Sequence, residues 1–131
     1  MPNRVGIDLV SVDEVRDSIR IHGDHYLERV YSESELADCR KSDSLDPERL
    51  AARFAAKEAA MKVLRARDEA VTWREIEVRR DPSGWVELAL TGRAAALAAE
   101  AGIMELALSL THESGLASAI VIAEIRESAD T

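Results

Sequence analysis

Asp8 stands near the end of an apolar run, residues 5–10, where an unpaired carboxylate is costly to bury unless something neutralises it. Two occupations are open to it: capping a turn or the next helix, or holding a metal ion. Ser11 and Glu14 stand at capping-box spacing just downstream, which leaves Asp8 without an obvious capping task and makes ligation the more attractive reading.

Glu58 and Lys62 are four apart, so on a helix they lie one above the other. That spacing suits an ordinary exposed ion pair. On a helical wheel, however, the two border an apolar stripe of Leu50, Phe54, Met61 and Leu64, beside the small residues Ala51 and Ala55, where a ligand or metal has room to approach. Lys57 falls inside the stripe and must either snorkel or meet an anion. With Arg53 one turn earlier, it offers a cationic edge to a phosphate. His112 shares a strand face with Leu106, Leu108 and Leu110, with Thr111, Glu113 and Ser114 beside it as donors and acceptors. His22 and His25 have no cysteine or third histidine nearby and read as surface loop residues. Glycine-rich phosphate loops and nucleophile elbows are absent, so phosphate chemistry here would rest on a metal and side chains.

The elements that must position these groups follow from the pattern. Residues 5–10 predict a strand, and a helix follows to about residue 22, broken at Gly23. A second capping box, Ser32 with Glu35, starts a short helix, and residues 41–44 read as loop. Asp46 before Pro47 opens a long helix to about Arg65. Residues 75–79 and 85–90 alternate around an Asp81-Pro82-Ser83-Gly84 turn, as a hairpin does. Thr91 opens an alanine-rich helix to about Gly102, and strands at 106–112 and 116–125 meet through Glu113-Ser114-Gly115. The tail from about residue 126 is polar and reads as frayed. Hairpin-paired strands with grouped helices predict an α+β fold, an antiparallel sheet packed against the long helix. The last strand is apolar on both faces and belongs centrally in the sheet or at a subunit interface.

The 131 residues suit a single domain, 1–131, and 47% hydrophobic with 32% charged residues suits a folded soluble one. A net charge of -8 provides no general field for nucleic acid. The lone Cys39 excludes an intrachain disulfide framework and fits a reducing, cytoplasmic setting, and no apolar run approaches a membrane span.

Three blocks, Gly6-Ile7-Asp8-Leu9-Val10, Arg53-Phe54-Ala55-Ala56-Lys57-Glu58-Ala59 with Lys62, and Ser109-Leu110-Thr111-His112, resemble the signatures of bacterial holo-acyl-carrier-protein synthases in order and spacing. The resemblance covers roughly residues 4–125. It implies transfer of the 4'-phosphopantetheine arm of coenzyme A to a serine of an apo acyl carrier protein, with release of adenosine 3',5'-bisphosphate. By similarity Asp8 and Glu58 would hold Mg2+ on the diphosphate and Lys62 would contact the phosphate under attack. Glu58 or a metal-bound water would accept the serine proton. Arg53, Lys57, Lys62, Ser109, Thr111 and His112 resemble positions that bind coenzyme A, the last two from a neighbouring subunit of a homotrimer. Arg16 and Arg20 stand where such enzymes dock the acidic carrier protein, although Asp13, Glu14 and Asp17 share that helix. The chain departs from the family in having no glycine in residues 63–70, and in carrying Ala107 and Leu108 ahead of Ser109. A catalytically weak relative that only binds carrier protein or coenzyme A is the alternative, and the intact Asp8, Glu58 and Lys62 argue against it.

Overall fold

A computed structural model describes residues 2–67 and 70–127. Its framework is a three-stranded antiparallel sheet in the order β1 (Asn3–Ser11), β7 (Leu116–Ile125), β6 (Ile103–Glu113), packed on the long helix α4 (Pro47–Leu64). The α+β expectation therefore holds, and the last strand is the central one.

Alternation decides what each strand face meets. Gly6, Val10, Ala117, Ala119, Val121 and Ala123 are buried, while Val5, Ile7 and Leu9 are about 60% exposed (59, 60 and 63%) on the opposite face. Pairing Val5 with Ile122 and Ile7 with Ile120 makes that outer face a continuous apolar surface.

Helix α4 starts as its sequence predicts. Asp46 accepts the Glu48 backbone N–H at 3.0 Å, and Pro47 occupies the first turn, where its missing N–H costs nothing. The apolar stripe drawn on the wheel is too narrow. Ala51, Ala52, Ala55, Ala56, Ala59 and Ala60 are all buried, because the helix is packed on several sides and these small residues let neighbours approach closely. The closest approach is at Gly6, where an added Cβ would sit 2.1 Å from the carbonyl oxygen of Ala59. Arg4 adds a clip, donating from Nη1 to the Val63 carbonyl at 3.1 Å.

The flanking elements are α1 (Val12–His22), α2 (Asp24–Val30), α3 (Glu33–Asp38), the short pair β2 (Arg40–Lys41) and β3 (Ser44–Leu45), the hairpin β4 (Ile76–Arg80) and β5 (Val86–Leu90), and α5 (Gly92–Ala101). Several expectations need correction. Ser11 caps α1 by position only: its side chain makes no capping bond, and the Val12 N–H donates to the Gly115 carbonyl at 2.9 Å, so the β6–β7 turn closes that helix end. Gly23 breaks the chain between two helices rather than starting a loop, so exposed His22 and His25 are helical. Residues 41–44 form a tight β2–β3 hairpin rather than plain loop. Of the polar tail, residues 128–131 lie outside the described residues.

Candidate active site

Asp8 pairs with Ala119 across the sheet and has its side chain on the α4 side of β1. The Gly6 contact two residues earlier holds the strand against the helix, which brings Asp8 beside Glu58. Lys62 donates from Nζ to the Ile7 carbonyl at 2.8 Å and to Asp8 Oδ1 at 3.2 Å. Lys62 is therefore tied to β1, and the simple helix ion pair with Glu58 is replaced by a three-residue cluster from two elements. Asp8 Oδ2 is buried and makes no hydrogen bond among the described residues.

Burial pushes the Glu58 carboxyl up to about 7. Its hydrogen bond with Asp8 and the Asp8 charge act the same way, Lys62 pulls against them, and Glu14 on α1 adds a smaller push. Two adjacent carboxylates, one of them with a buried oxygen that has no hydrogen-bond partner among the described residues, form a site that a cation would relieve. The donor set fits magnesium, which takes one or two carboxylates and fills its octahedron with phosphate oxygens and water. No group of three or more His, Cys, Asp or Glu poised to hold a metal occurs among the described residues.

Two cavities open on either side of Lys62. One, of about 530 Å³, is lined by Ile7, Asp8, Leu9, Lys62 and Ser118. The other, of about 510 Å³, is lined by Met61, Lys62, Arg65, Ala66 and Arg67. The glycine-free stretch has a visible consequence here: Arg65 ends α4 in the left-handed conformation, φ 55°, a role glycine usually fills.

A third cavity, of about 180 Å³, lies between the N-terminal half of α4, the β4–β5 hairpin and β6. Arg49, Arg53, Arg80 and His112 line it. Arg53 is only 5% exposed and its Nε has no hydrogen-bond partner among the described residues. His112 Nδ1 lies 2.8 Å from Glu48 Oε2. Arg49 was legible in principle, being one turn from Arg53 on the same face. Arg80 and Glu48 gave no signal, because only the tertiary fold brings them here.

Of the predicted residues, Asp8, Glu58 and Lys62 come together, and Arg53 and His112 meet separately. Thr111 joins His112 at a cavity of about 210 Å³ at the strand end, while Ser109 lies exposed on the outer face. Lys57 does not belong with them. It is wholly buried, and its ammonium donates to Glu35 Oε1 at 2.8 Å, to the Trp73 carbonyl at 3.1 Å and to the Ile76 carbonyl. All three of its donors are committed, so the expectation of a coenzyme A contact is corrected to a structural role. Arg16 and Arg20 are exposed but paired within α1, to Asp13 at 3.1 Å and Asp17 at 3.5 Å.

Fold and site define a class. The family model described as the 4'-phosphopantetheinyl transferase superfamily matches residues 4–117. Among similar proteins, the holo-[acyl-carrier-protein] synthase of Koribacter versatilis is 42% identical over 120 residues, covering 91% of this chain and 95% of that protein. That of Solibacter usitatus is 41% identical over 121 residues, covering 91% and 95%. Among solved structures, the Chronobacterium ammoniagenes ACPS–coenzyme A complex superposes with a TM-score of 0.85 at 31% identity, covering 97% of this chain and 100% of that one. The Helicobacter pylori holo-[acyl-carrier-protein] synthase in complex with coenzyme A gives 0.80 at 26% identity, covering 92% and 100%. The chain belongs to the holo-[acyl-carrier-protein] synthase family.

Proposed function

We propose that the chain transfers 4'-phosphopantetheine from coenzyme A to a serine of an apo acyl carrier protein, and that the Asp8–Glu58–Lys62 cluster is its reaction centre. The single observation behind the assignment of the centre is the cluster itself: two adjacent carboxylates, a buried oxygen without a partner among the described residues, and a lysine within reach. Relatives of this family are solved with coenzyme A bound.

Asp8 and Glu58 would hold Mg2+, which when bound neutralises the diphosphate of coenzyme A. The serine oxygen attacks the phosphorus that carries pantetheine, the bond to adenosine 3',5'-bisphosphate breaks, and the serine proton must leave. Glu58 or a water held at the site would accept that proton. Lys62 is positioned by the Ile7 carbonyl and Asp8, so its charge is aimed before substrate arrives and can meet the phosphate under attack. Arg53, Thr111 and His112 are assigned to the nucleotide end of coenzyme A, with Ser109 beside them on the sheet, and Arg16 and Arg20 to the carrier protein.

The exposed apolar face of Val5, Ile7, Leu9 and Ile122 supports a homotrimer with sites between subunits. Sedimentation should give a trimer, and a fully active monomer would overturn it. A cytoplasmic enzyme without nucleic-acid or membrane partners completes the reading. No helix of the described residues is long and apolar enough to cross a membrane.

The deciding experiment incubates apo carrier protein with coenzyme A and magnesium and follows intact mass. The phosphopantetheine mass should appear with the native chain. It should fall by roughly two to four orders of magnitude in rate with Asp8→Ala or Glu58→Ala. No mass gain on any apo carrier protein, fatty-acid, polyketide or peptide type, would sink the assignment.

A further inference from the structure

Helix α1 begins four residues after Asp8, and Val12 and Val15 bury one of its faces in the core. The exposed remainder divides by charge. Arg16 and Arg20 are answered within the helix, by Asp13 at 3.1 Å and Asp17 at 3.5 Å. Glu14 is exposed in the first turn and makes no such pair among the described residues. At about 100° per residue the two arginines project about 160° and 120° away from Glu14 around the helix, whereas Ser18 and Ile21 lie within about 40° of it. The Glu14 side, which carries the largely exposed Ile21, is the one turned to the reaction centre, where the Glu14 charge adds to the push on the Glu58 carboxyl.

We propose that Glu14 is a specificity-determining residue for the carrier protein: it favours a carrier with a lysine or arginine on the surface flanking its serine, and disfavours one with a carboxylate there. On the function proposed above, a serine that reaches the Asp8–Glu58–Lys62 cluster brings its flanking surface against the first turn of α1. Opposite charges meeting at such a rim speed association and like charges slow it. Nothing at longer range offsets a mismatch. The net charge of -8 gives an acidic carrier no general attraction, and Arg16 and Arg20 lie on the other flank, each already answered by a carboxylate. A role for Glu14 confined to the positive end of the α1 dipole would act alike on every carrier, whereas selection acts on the difference between carriers.

A charge swap tests this. The probes are one apo acyl carrier protein with a surface carboxylate next to its modified serine, and the same protein with that carboxylate changed to lysine. For each, kcat/KM is read from the gain of phosphopantetheine mass, and affinity from calorimetric titration of a form whose serine is alanine. The native chain should prefer the lysine form roughly three- to tenfold in both readouts. Glu14→Gln should bring the two carriers within about twofold, and Glu14→Lys should invert the preference to roughly threefold or more for the carboxylate form. All of these ratios should shrink toward one in about 0.5 M salt. Each ratio compares two carriers on one enzyme, so any effect of the substitution on folding, magnesium or coenzyme A cancels. A native chain that transfers to both carriers equally, or the same preference in the native chain, Glu14→Gln and Glu14→Lys, overturns the inference and leaves the proposed function standing. Affinities that swap as expected without any mass gain overturn the function and leave the inference standing, and a chain that neither binds nor modifies either carrier overturns both.

Discussion

Lys57 and Glu58 are consecutive on α4 and about 100° apart around it, and they live in opposite circumstances. Lys57 is enclosed, and every donor it has is met. Glu35 answers it with one carboxylate oxygen that also accepts the Ser32 N–H at 2.9 Å, while the other accepts the Val78 N–H at 2.9 Å. This ion pair joins α3, α4 and β4. Elsewhere on the helix, Glu58 sits beside Asp8, whose Oδ2 has no hydrogen-bond partner among the described residues, and burial holds the Glu58 carboxyl up. The two sites contain the same residue types and differ in satisfaction. A complete set of partners marks a group that holds the fold, whereas a deficit of positive charge marks one arranged for something not part of the chain.

The contrast can be broken most forcefully at Lys57. Lys57→Met leaves Glu35 buried without its cation and should cost about 3–5 kcal/mol in guanidinium unfolding. Coenzyme A affinity in the remaining folded protein should stay within roughly threefold, since Lys57 has no donor to offer a ligand. A loss below about 1 kcal/mol, or a large loss of affinity without loss of stability, would reverse the assignment.

A smaller effect of opposite sign is expected at Glu58. Its carboxyl lies at about 7 in the folded chain against an ordinary 4.5, so the folded state holds this proton the more tightly. The associated stability is fully present below the ordinary value and is lost as pH rises through about 7. In metal-free buffer Glu58→Gln should therefore raise the melting temperature at about pH 8 by a few degrees and leave it nearly unchanged at about pH 5. Magnesium should stabilise the native chain, more strongly at the higher pH, and the same variant should lose that stabilisation. Destabilisation at about pH 8 would show that Glu58 is a structural group like its neighbour.

Much of this was legible in local patterns. The Asp46-Pro47 start, the hairpin turn at residues 81–84 and the Gly102 helix end are short-range signals, and the elements they bound came out within a few residues. Helix α2 was not legible, because its seven residues between Gly23 and Tyr31 are too few to show a periodicity. Glu35 was visible as a capping residue but not as a buried counter-ion, since its partners Lys57 and Val78 are 22 and 43 residues away. For Asp8, one step of the sequence argument fails. Ser11 does not cap with its side chain, and what rules out capping for Asp8 is its place within a paired strand, where its Oδ1 answers Lys62.

The contact between Gly6 and Ala59 also acts on the fidelity of folding. A shift of β1 by one residue would carry Asp8 to the outer face, Ile7 to the inner one, and a side-chain-bearing residue into a gap where even a Cβ meets the helix backbone. The misregistered chain could not close the sheet on α4 at all. Only the register that assembles the two carboxylates can pack, so the same missing methyl group that brings strand and helix together proofreads the site they form.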